Sequence, residues 1–134
     1  MQTIALMLLL AGTQVSPAPQ AQVPAPEAPA PLDYDAAKAL ADRDEAALPQ
    51  LGSETLRASQ TRLLERATDA CRTTEKPKAF TVVLELDAKG TATRHWRNAE
   101  TGLARCMEDK LSRQAFYVPA TAPFYVSFEV TFTP

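Results

Sequence analysis

The sequence has few of the residues from which metal and catalytic sites are built. It contains one histidine, His95, and two cysteines, Cys71 and Cys106, which lie 35 residues apart and form no C-x-x-C pair. A zinc site needs several cysteine, histidine or carboxylate ligands at characteristic spacings. The chain also lacks a glycine-rich phosphate loop and a G-x-S-x-G motif. We therefore expect no metal, no cofactor and no enzymatic activity.

The sequence has no large excess of charge of either sign. Its 14 Lys+Arg residues stand against 16 Asp+Glu residues, which leaves a net charge of -2. Proteins that bind nucleic acid usually carry a clear excess of positive charge on one face or helix. We therefore expect no nucleic-acid partner.

No hydrophobic run is long enough to span a membrane. The longest N-terminal run, "IALMLLLAG", ends at Gly12, whereas a spanning helix needs about 20 apolar residues. A run of this shorter length is typical of a secretory signal peptide, and we predict one over residues 1–13, with cleavage no later than about residue 21. Thr13 stands where a lipoprotein would carry its lipidated cysteine, so lipidation is excluded. The processed protein is expected in the periplasm or secreted, without stable membrane insertion.

A proline- and alanine-rich linker is predicted over residues 14–31. The stretch "PAPQAQVPAPEAPAP" within it favours extended polyproline II structure, because proline fixes φ and has no N–H to donate. Such a segment serves either as a spacer that gives a folded domain reach or as a tolerated disordered leader.

Three helices are predicted in the folded domain, residues 32–134. The first covers 32–48 with Asp33 as its cap. The second has Ser53 as its cap and ends near Cys71, which lies on its buried side. The third runs from 102 to 113. Its apolar residues recur at helical spacing, with Cys106 on the same stripe.

Three strands are predicted from apolar residues that alternate with polar ones. The first covers 80–86, the turn "DAKG" covers 87–90, and the second strand returns over 91–97. The last strand, 124–132, has the strictest alternation in the chain. The strand directions favour an α+β fold with an antiparallel sheet in the order 2-1-3, covered on one face by the helices.

Alternation and helical spacing also predict where the polar side chains near the core lie. On the second strand, Trp96 is expected in the core and Arg97 in solvent, with His95 at the surface or half-buried. Glu108 and Asp109 are neighbours on a helix and point about 100° apart. They are expected on a solvated face rather than as an acid/base pair.

These features together resemble a known family. The run "FTVVLELDAKGTATRHWRNAETGLARCMEDKLSRQAFYVP", followed by "PFYVSFEVTF", is similar to the C-terminal domain of TonB-type energy transducers, and closer still to the C-terminal module of the AgmX/GltJ gliding-motility proteins. The resemblance covers residues 54–133, with Cys71 and Cys106 at the positions of the family's two cysteines. The family's "YP" signature is absent, since "EKPKAF" stands in its place. The long N-terminal anchor is missing, which argues against energy transduction.

The resemblance implies a protein-interaction module of the cell envelope that binds an envelope protein by strand addition. The residues expected at the partner-binding edge lie on the outer positions of the last strand: Tyr125, Ser127, Glu129, Thr131 and Thr133. The alternative function is a stand-alone secreted inhibitor or structural accessory domain that recognises its target by loops.

The two cysteines are predicted to form a disulfide. Cys71 and Cys106 both lie on the sheet-facing stripes of helices that pack side by side, and exported chains meet oxidising conditions. A catalytic pair of Cys106 with His95 is the alternative. It is disfavoured because a reactive thiol needs an exposed, electropositive setting, whereas Cys106 lies on the apolar stripe.

Overall fold

The computed structural model describes residues 31–133 and Gly12. Most of the predicted signal peptide and most of the predicted linker therefore lie outside the described residues. Residues 31–133 form three helices and three strands, in this order: α1 (Tyr34–Ala46), α2 (Gln50–Ala70), β1 (Phe80–Leu86), β2 (Ala92–Arg97), α3 (Gly102–Ser112) and β3 (Phe124–Val130). None of the three helices in residues 31–133 has both the length and the hydropathy that a membrane-spanning segment requires.

The three strands form one antiparallel sheet in the order β2-β1-β3, which confirms the predicted α+β fold and strand order. The central strand is β1, where Leu84 lies opposite His95 on β2 and opposite Val126 on β3. The register of the β1–β2 ladder shifts between Glu85 and Leu86, just before its last pair, Leu86 and Ala92. The last strand, β3, is left at one edge of the sheet.

The β1–β2 turn is built around Asp87 and Gly90, as the sequence predicts. The Asp87 carboxylate accepts hydrogen bonds from the N–H groups of Lys89 and Thr91, both at 2.9 Å. Gly90 has a φ of +80°, a conformation that L side chains rarely adopt. A Cβ at this position would lie 2.3 Å from the carbonyl oxygen of Tyr117, so the turn also packs tightly against the loop after α3.

The larger core lies between one face of the sheet and helices α2 and α3. The sheet supplies alternate residues of β1 and β3, all buried: Phe80, Val82, Leu84, Leu86, Phe124, Val126, Phe128 and Val130. The helices supply residues at helical spacing: Leu56, Leu63, Ala67, Ala104, Met107 and Leu111. Each large apolar side chain buried here stabilises the fold by about 1.5–3 kcal/mol. The predicted alternation is thus confirmed over the length of β3.

Helix α1 covers the opposite face of the sheet, so helices lie on both faces and not on one as predicted. Ala37 and Ala41 are fully buried against Val83 of β1 and Tyr125 of β3. Trp96 of β2 packs at the side of this second cluster, and its indole N–H donates to the carbonyl of Leu32 at 2.8 Å. The physical reason is that the second face also carries large apolar side chains, and the short side chains of α1 let the helix approach them closely.

Helix α2 begins earlier than the sequence predicts. Its first residue is Gln50, Pro49 is the N-cap, and Ser53 lies inside the first turn, where its N–H donates to the Pro49 carbonyl at 2.9 Å. No side chain caps this end. The predicted cap at Ser53 is therefore wrong. Proline before a helix fixes φ and ends the preceding segment, so residues 50–53 extend α2 by about one turn.

Candidate functional site

The outer side of β3 is the candidate site, because β3 is an edge strand. On β1, the carbonyl of Thr81 accepts from the N–H of Asn98, and the carbonyl of Glu85 accepts from the hydroxyl of Thr93. The odd-numbered residues of β1 therefore point their backbone N–H and C=O groups toward β2. Successive residues of a strand point their backbone groups to opposite sides. Even-numbered residues of β1 and β3 therefore form the β1–β3 ladder. The odd-numbered residues of β3 point their N–H and C=O groups away from the sheet.

Two of these outward positions are already hydrogen-bonded within the chain. The N–H of Tyr125 donates to the Asp44 carboxylate at 2.9 Å. The carbonyl of Ser127 accepts from the side-chain amide of Gln60 at 2.9 Å. Asp44 lies near the end of α1 and Gln60 lies on α2, so two helices reach the same strand edge. Their side chains occupy positions that a neighbouring strand would otherwise take.

Glu45 completes this cap on the strand edge. Its carboxylate accepts from Gln60 at 3.0 Å and from the hydroxyl of Ser127 at 3.2 Å. Burial raises the pKa of Glu45 above its ordinary value, although hydrogen bonds from Gln60 and Ser127 and the positive charge of Lys38 oppose the shift. We name Asp44, Glu45 and Gln60 the edge cap.

Beyond the edge cap, an open groove of about 800 Å³ runs between β3 and α2. Its floor is formed by residues 127–129, and its wall is formed by exposed or half-buried side chains of α2. The residues that line this wall include Arg57, Thr61, Leu64, Glu65 and Asp69. The volume is within the range of about 300–1,000 Å³ that is typical of ligand sites.

The five predicted partner-binding residues fall into three environments. Tyr125 and Ser127 are buried beneath α1, at 5% and 9% exposure, so their side chains face the second cluster. Glu129 is exposed and pairs with Lys38 at 3.3 Å. Thr131 and Thr133 are exposed but follow the last residue of β3. The sequence placed all five on one strand face and could not show that α1 covers the first two.

A polar cluster ties the second face of the sheet to the Tyr125 hydroxyl. Arg94 donates to Glu85 at 2.6 Å and to the Tyr125 hydroxyl at 3.1 Å, and that hydroxyl donates to Glu85. Burial tends to raise the pKa of Glu85, but hydrogen bonds from Arg94, Tyr125 and Thr93 outweigh it and hold this pKa below its ordinary value. Burial of the Tyr125 hydroxyl, together with its hydrogen bond to the negatively charged Glu85, raises the pKa of Tyr125. The cluster fixes β3 in register with β1 and β2.

A second polar cluster lies between β2 and α3, and sequence reasoning missed it. Glu108 is only 7% exposed, and its carboxylate lies 2.6 Å from Nδ1 of His95 and 2.8 Å from Nη1 of Arg97. The predictions of a solvated Glu108 and a solvated Arg97 are therefore wrong. Arg97 lies opposite Val82, whose side chain faces the larger core, so Arg97 points toward α3 rather than into solvent. His95 is half-exposed, as predicted.

The spacing of α3 contained a signal for this burial. Glu108 lies four residues after Ala104 and three before Leu111, which are both buried. Residues at these spacings share one face of a helix. A carboxylate on that stripe needs a buried donor, and Arg97 supplies it.

Cys71 and Cys106 form the predicted disulfide, with a Cα–Cα distance of 5.7 Å. Cys71 is the C-cap residue of α2 and is buried, and Cys106 lies on the half-buried side of α3. A disulfide leaves no thiolate for catalysis, so the alternative pairing of Cys106 with His95 is wrong. Disulfides of this kind are typical of proteins outside the reducing cytoplasm.

Within residues 31–133, no group of three or more histidine, cysteine or acidic side chains is placed to hold a metal ion. Comparisons of the chain with protein-family models, curated proteins and solved structures found no match, so the similarity to TonB-type C-terminal domains stays a prediction.

Proposed function

We propose that this protein is an exported protein-interaction module that binds an extended segment of another envelope protein by strand addition at β3. The observation that carries the proposal is the edge position of β3 beside the open groove along α2. An added strand gains affinity from main-chain hydrogen bonds and specificity from the side-chain pockets beside it.

The disulfide supports both the location and the rigidity that this function needs. Export brings the chain into an oxidising compartment, where a bond between Cys71 and Cys106 persists. The bond ties the end of α2 to α3, so the groove wall is held against the sheet. A preformed groove loses less conformational entropy on binding than one that must be ordered first.

Glu129 is the position at which strand addition is tested most directly. Its backbone groups point away from β1, so proline there removes an outward N–H and no hydrogen bond of the β1–β3 ladder. We expect Glu129→Pro to abolish capture of a partner from the native cell envelope, and Glu129→Gln to retain capture. Circular dichroism and urea unfolding check that both variants fold.

A photo-crosslinking amino acid at position 129, compared with one at Lys89 in the distant β1–β2 turn, identifies the partner. The proposal requires crosslinks at position 129 that are absent at position 89. If Glu129→Pro captures the same partner at wild-type level, strand addition is wrong, and recognition by loops becomes the better hypothesis.

A further inference from the structure

The edge cap divides the outer side of β3 into an occupied part and an open part. The Tyr125 N–H donates to the Asp44 carboxylate, and the Ser127 carbonyl accepts from the Gln60 amide. The next outward residue is Glu129, and within residues 31–133 no hydrogen-bond partner is found for its N–H. Within β3, strand addition in the folded state is therefore restricted to Glu129 and Val130, the last two residues of the strand.

The edge cap would be costly to displace. An added strand at Tyr125 would have to break the hydrogen bond to the Asp44 carboxylate, and hydrogen bonds to charged groups are stronger than neutral ones. It would also break both contacts of Gln60, which bridges Glu45 and Ser127. The open stretch requires no such exchange, so binding begins there.

The groove beside the open stretch carries an excess of negative charge. Its charged lining residues are Arg57, Glu65, Asp69 and Glu129. Glu129 is paired with Lys38, which leaves the two acids Glu65 and Asp69 against Arg57. Glu65 and Asp69 are exposed and form no ion pair with any other residue of the described range 31–133. Their charges are available to a bound segment. Complementary charge steers binding and suppresses partners of the wrong sign.

We propose that the site takes a short, extended, basic segment of a partner protein, which pairs with β3 from Glu129 onward and places lysine or arginine side chains against Glu65 and Asp69. This inference rests on the proposed function, since it names the chemistry of the partner that β3 accepts. The edge cap limits how far the bound segment extends along β3, and the acids of α2 favour a segment with positive charge.

Three synthetic heptapeptides test the proposal: alternating threonine and lysine, alternating threonine and glutamate, and the lysine peptide with two threonines replaced by proline. Binding to the full processed chain is followed by amide chemical shifts at low ionic strength. We expect the threonine–lysine peptide to bind at least tenfold more tightly than the glutamate peptide, with shifts at residues 127–131. Replacing threonine by proline should abolish binding, because proline cannot donate to a strand.

Two variants of the protein separate the effect of the acids in the groove from the effect of the protein's overall charge. Glu65→Gln combined with Asp69→Asn should weaken binding of the lysine peptide about fivefold, the size expected for exposed ion pairs. Glu54→Gln, on the same helix but outside the groove lining, is the matched control and should leave binding unchanged. Equal binding of the lysine and glutamate peptides would overturn the proposed charge preference.

The outcomes also distinguish this inference from the proposed function. If the lysine and glutamate peptides bind alike, the proline peptide does not bind and Glu129→Pro removes binding, strand addition stands and the basic preference is wrong. If the lysine peptide binds and Glu129→Pro has no effect, the contact is purely electrostatic and both are wrong. Binding by none of the peptides at millimolar concentration counts against β3 as a docking edge. Shifts at the Tyr125 amide in the wild-type protein would contradict the boundary set by the edge cap.

Discussion

Glu108 of α3 and Arg97 of β2 form an ion pair at 2.8 Å on the side of the sheet that holds the larger core. His95 lies against the other carboxylate oxygen at 2.6 Å. A buried carboxylate is stable only when its partners replace the water that it loses. This pair therefore fixes the position of α3 over β2, and with it the position of Cys106.

Removing the Glu108 carboxylate should destabilise the protein. In Glu108→Ala, His95 loses its carboxylate partner and Arg97 keeps the exposed Glu100 but loses its buried partner. We expect a loss of about 2 kcal/mol in the free energy of unfolding. The neighbouring Asp109→Ala is the matched control, because Asp109 is about half exposed and its ion-pair partner among residues 31–133 is Arg113. That variant should change stability by about 0.5 kcal/mol or less. Urea unfolding measures both, and equal effects would show that Glu108 has no special role.

The disulfide should supply a large share of the stability. Replacing both Cys71 and Cys106 by serine removes a link between residues separated by 35 positions, and the chain-entropy model gives a loss of about 4 kcal/mol. Typical domains have a total of about 5–15 kcal/mol. Urea unfolding with and without reductant measures the effect. Mass spectrometry of the unreduced protein checks the bond, and two free thiols would contradict it.

The turn at Gly90 should not tolerate a side chain. Gly90→Ala forces a Cβ into a positive φ and within 2.3 Å of the Tyr117 carbonyl oxygen, so we expect a loss of about 2 kcal/mol or more. Gly52→Ala is the control, because Gly52 lies in α2 and a Cβ there meets only ordinary contacts at 3.6 Å. Alanine favours a helix over glycine by about 1 kcal/mol, so this variant should be neutral or stabilising. Thermal unfolding of both variants shows whether their effects have opposite signs.

Two carboxylates should give opposite pH dependence. The pKa of Glu85 is lowered from 4.5, so its stabilising contribution is present above pH 4.5 and is lost as the pH falls through the folded-state pKa. The pKa of Glu45 is raised from 4.5, so its contribution is present below pH 4.5 and is lost as the pH rises through its folded-state pKa.

Glutamine variants separate these contributions. The stability advantage of the wild type over Glu85→Gln should shrink as the pH falls below 4.5. Its advantage over Glu45→Gln should shrink as the pH rises above 4.5. Urea unfolding at a series of pH values measures both differences, and slopes of the same sign would contradict the opposite environments of the two groups.

The edge cap should be visible in amide exchange. In Asp44→Ala, the Tyr125 N–H loses its acceptor, and we expect its hydrogen exchange to accelerate about tenfold or more. The amides of Val126 and Phe128 face away from Asp44 and should keep their protection. Asp42→Ala removes a more exposed acid of the same helix that pairs with Lys38 and serves as the control. Unchanged exchange at Tyr125 would show that Asp44 does not cap the edge.

The parts of the fold that depend on local pattern were predictable from the sequence. The alternation from Phe124 to Val130, the Asp87–Gly90 turn and the helical stripe that carries Cys106 each determine one element with little help from elsewhere. The strand order then follows from the strand directions. The disulfide follows from two buried helix faces that meet.

The parts that depend on packing between distant elements were not predictable in the same way. The position of α1 over Val83 and Tyr125 has no local signal, since an alanine-rich helix carries little information about which face it will cover. The bond from Asp44 to Tyr125 joins residues 81 positions apart. The open part of β3 is therefore defined only once α1 and α2 are placed, although the strand itself is evident from the sequence.

The disulfide also determines how the domain would carry mechanical tension. A pull applied along the chain after α2 passes from Cys71 directly to Cys106, so the covalent path bypasses the whole β1–β2 hairpin. In the oxidised protein those 35 residues cannot extend, whereas reduction would add about 120 Å of contour length at about 3.5 Å per residue. The hairpin then resists tension as a closed covalent ring, and β3 is the only strand of the sheet through which an outside force can pass.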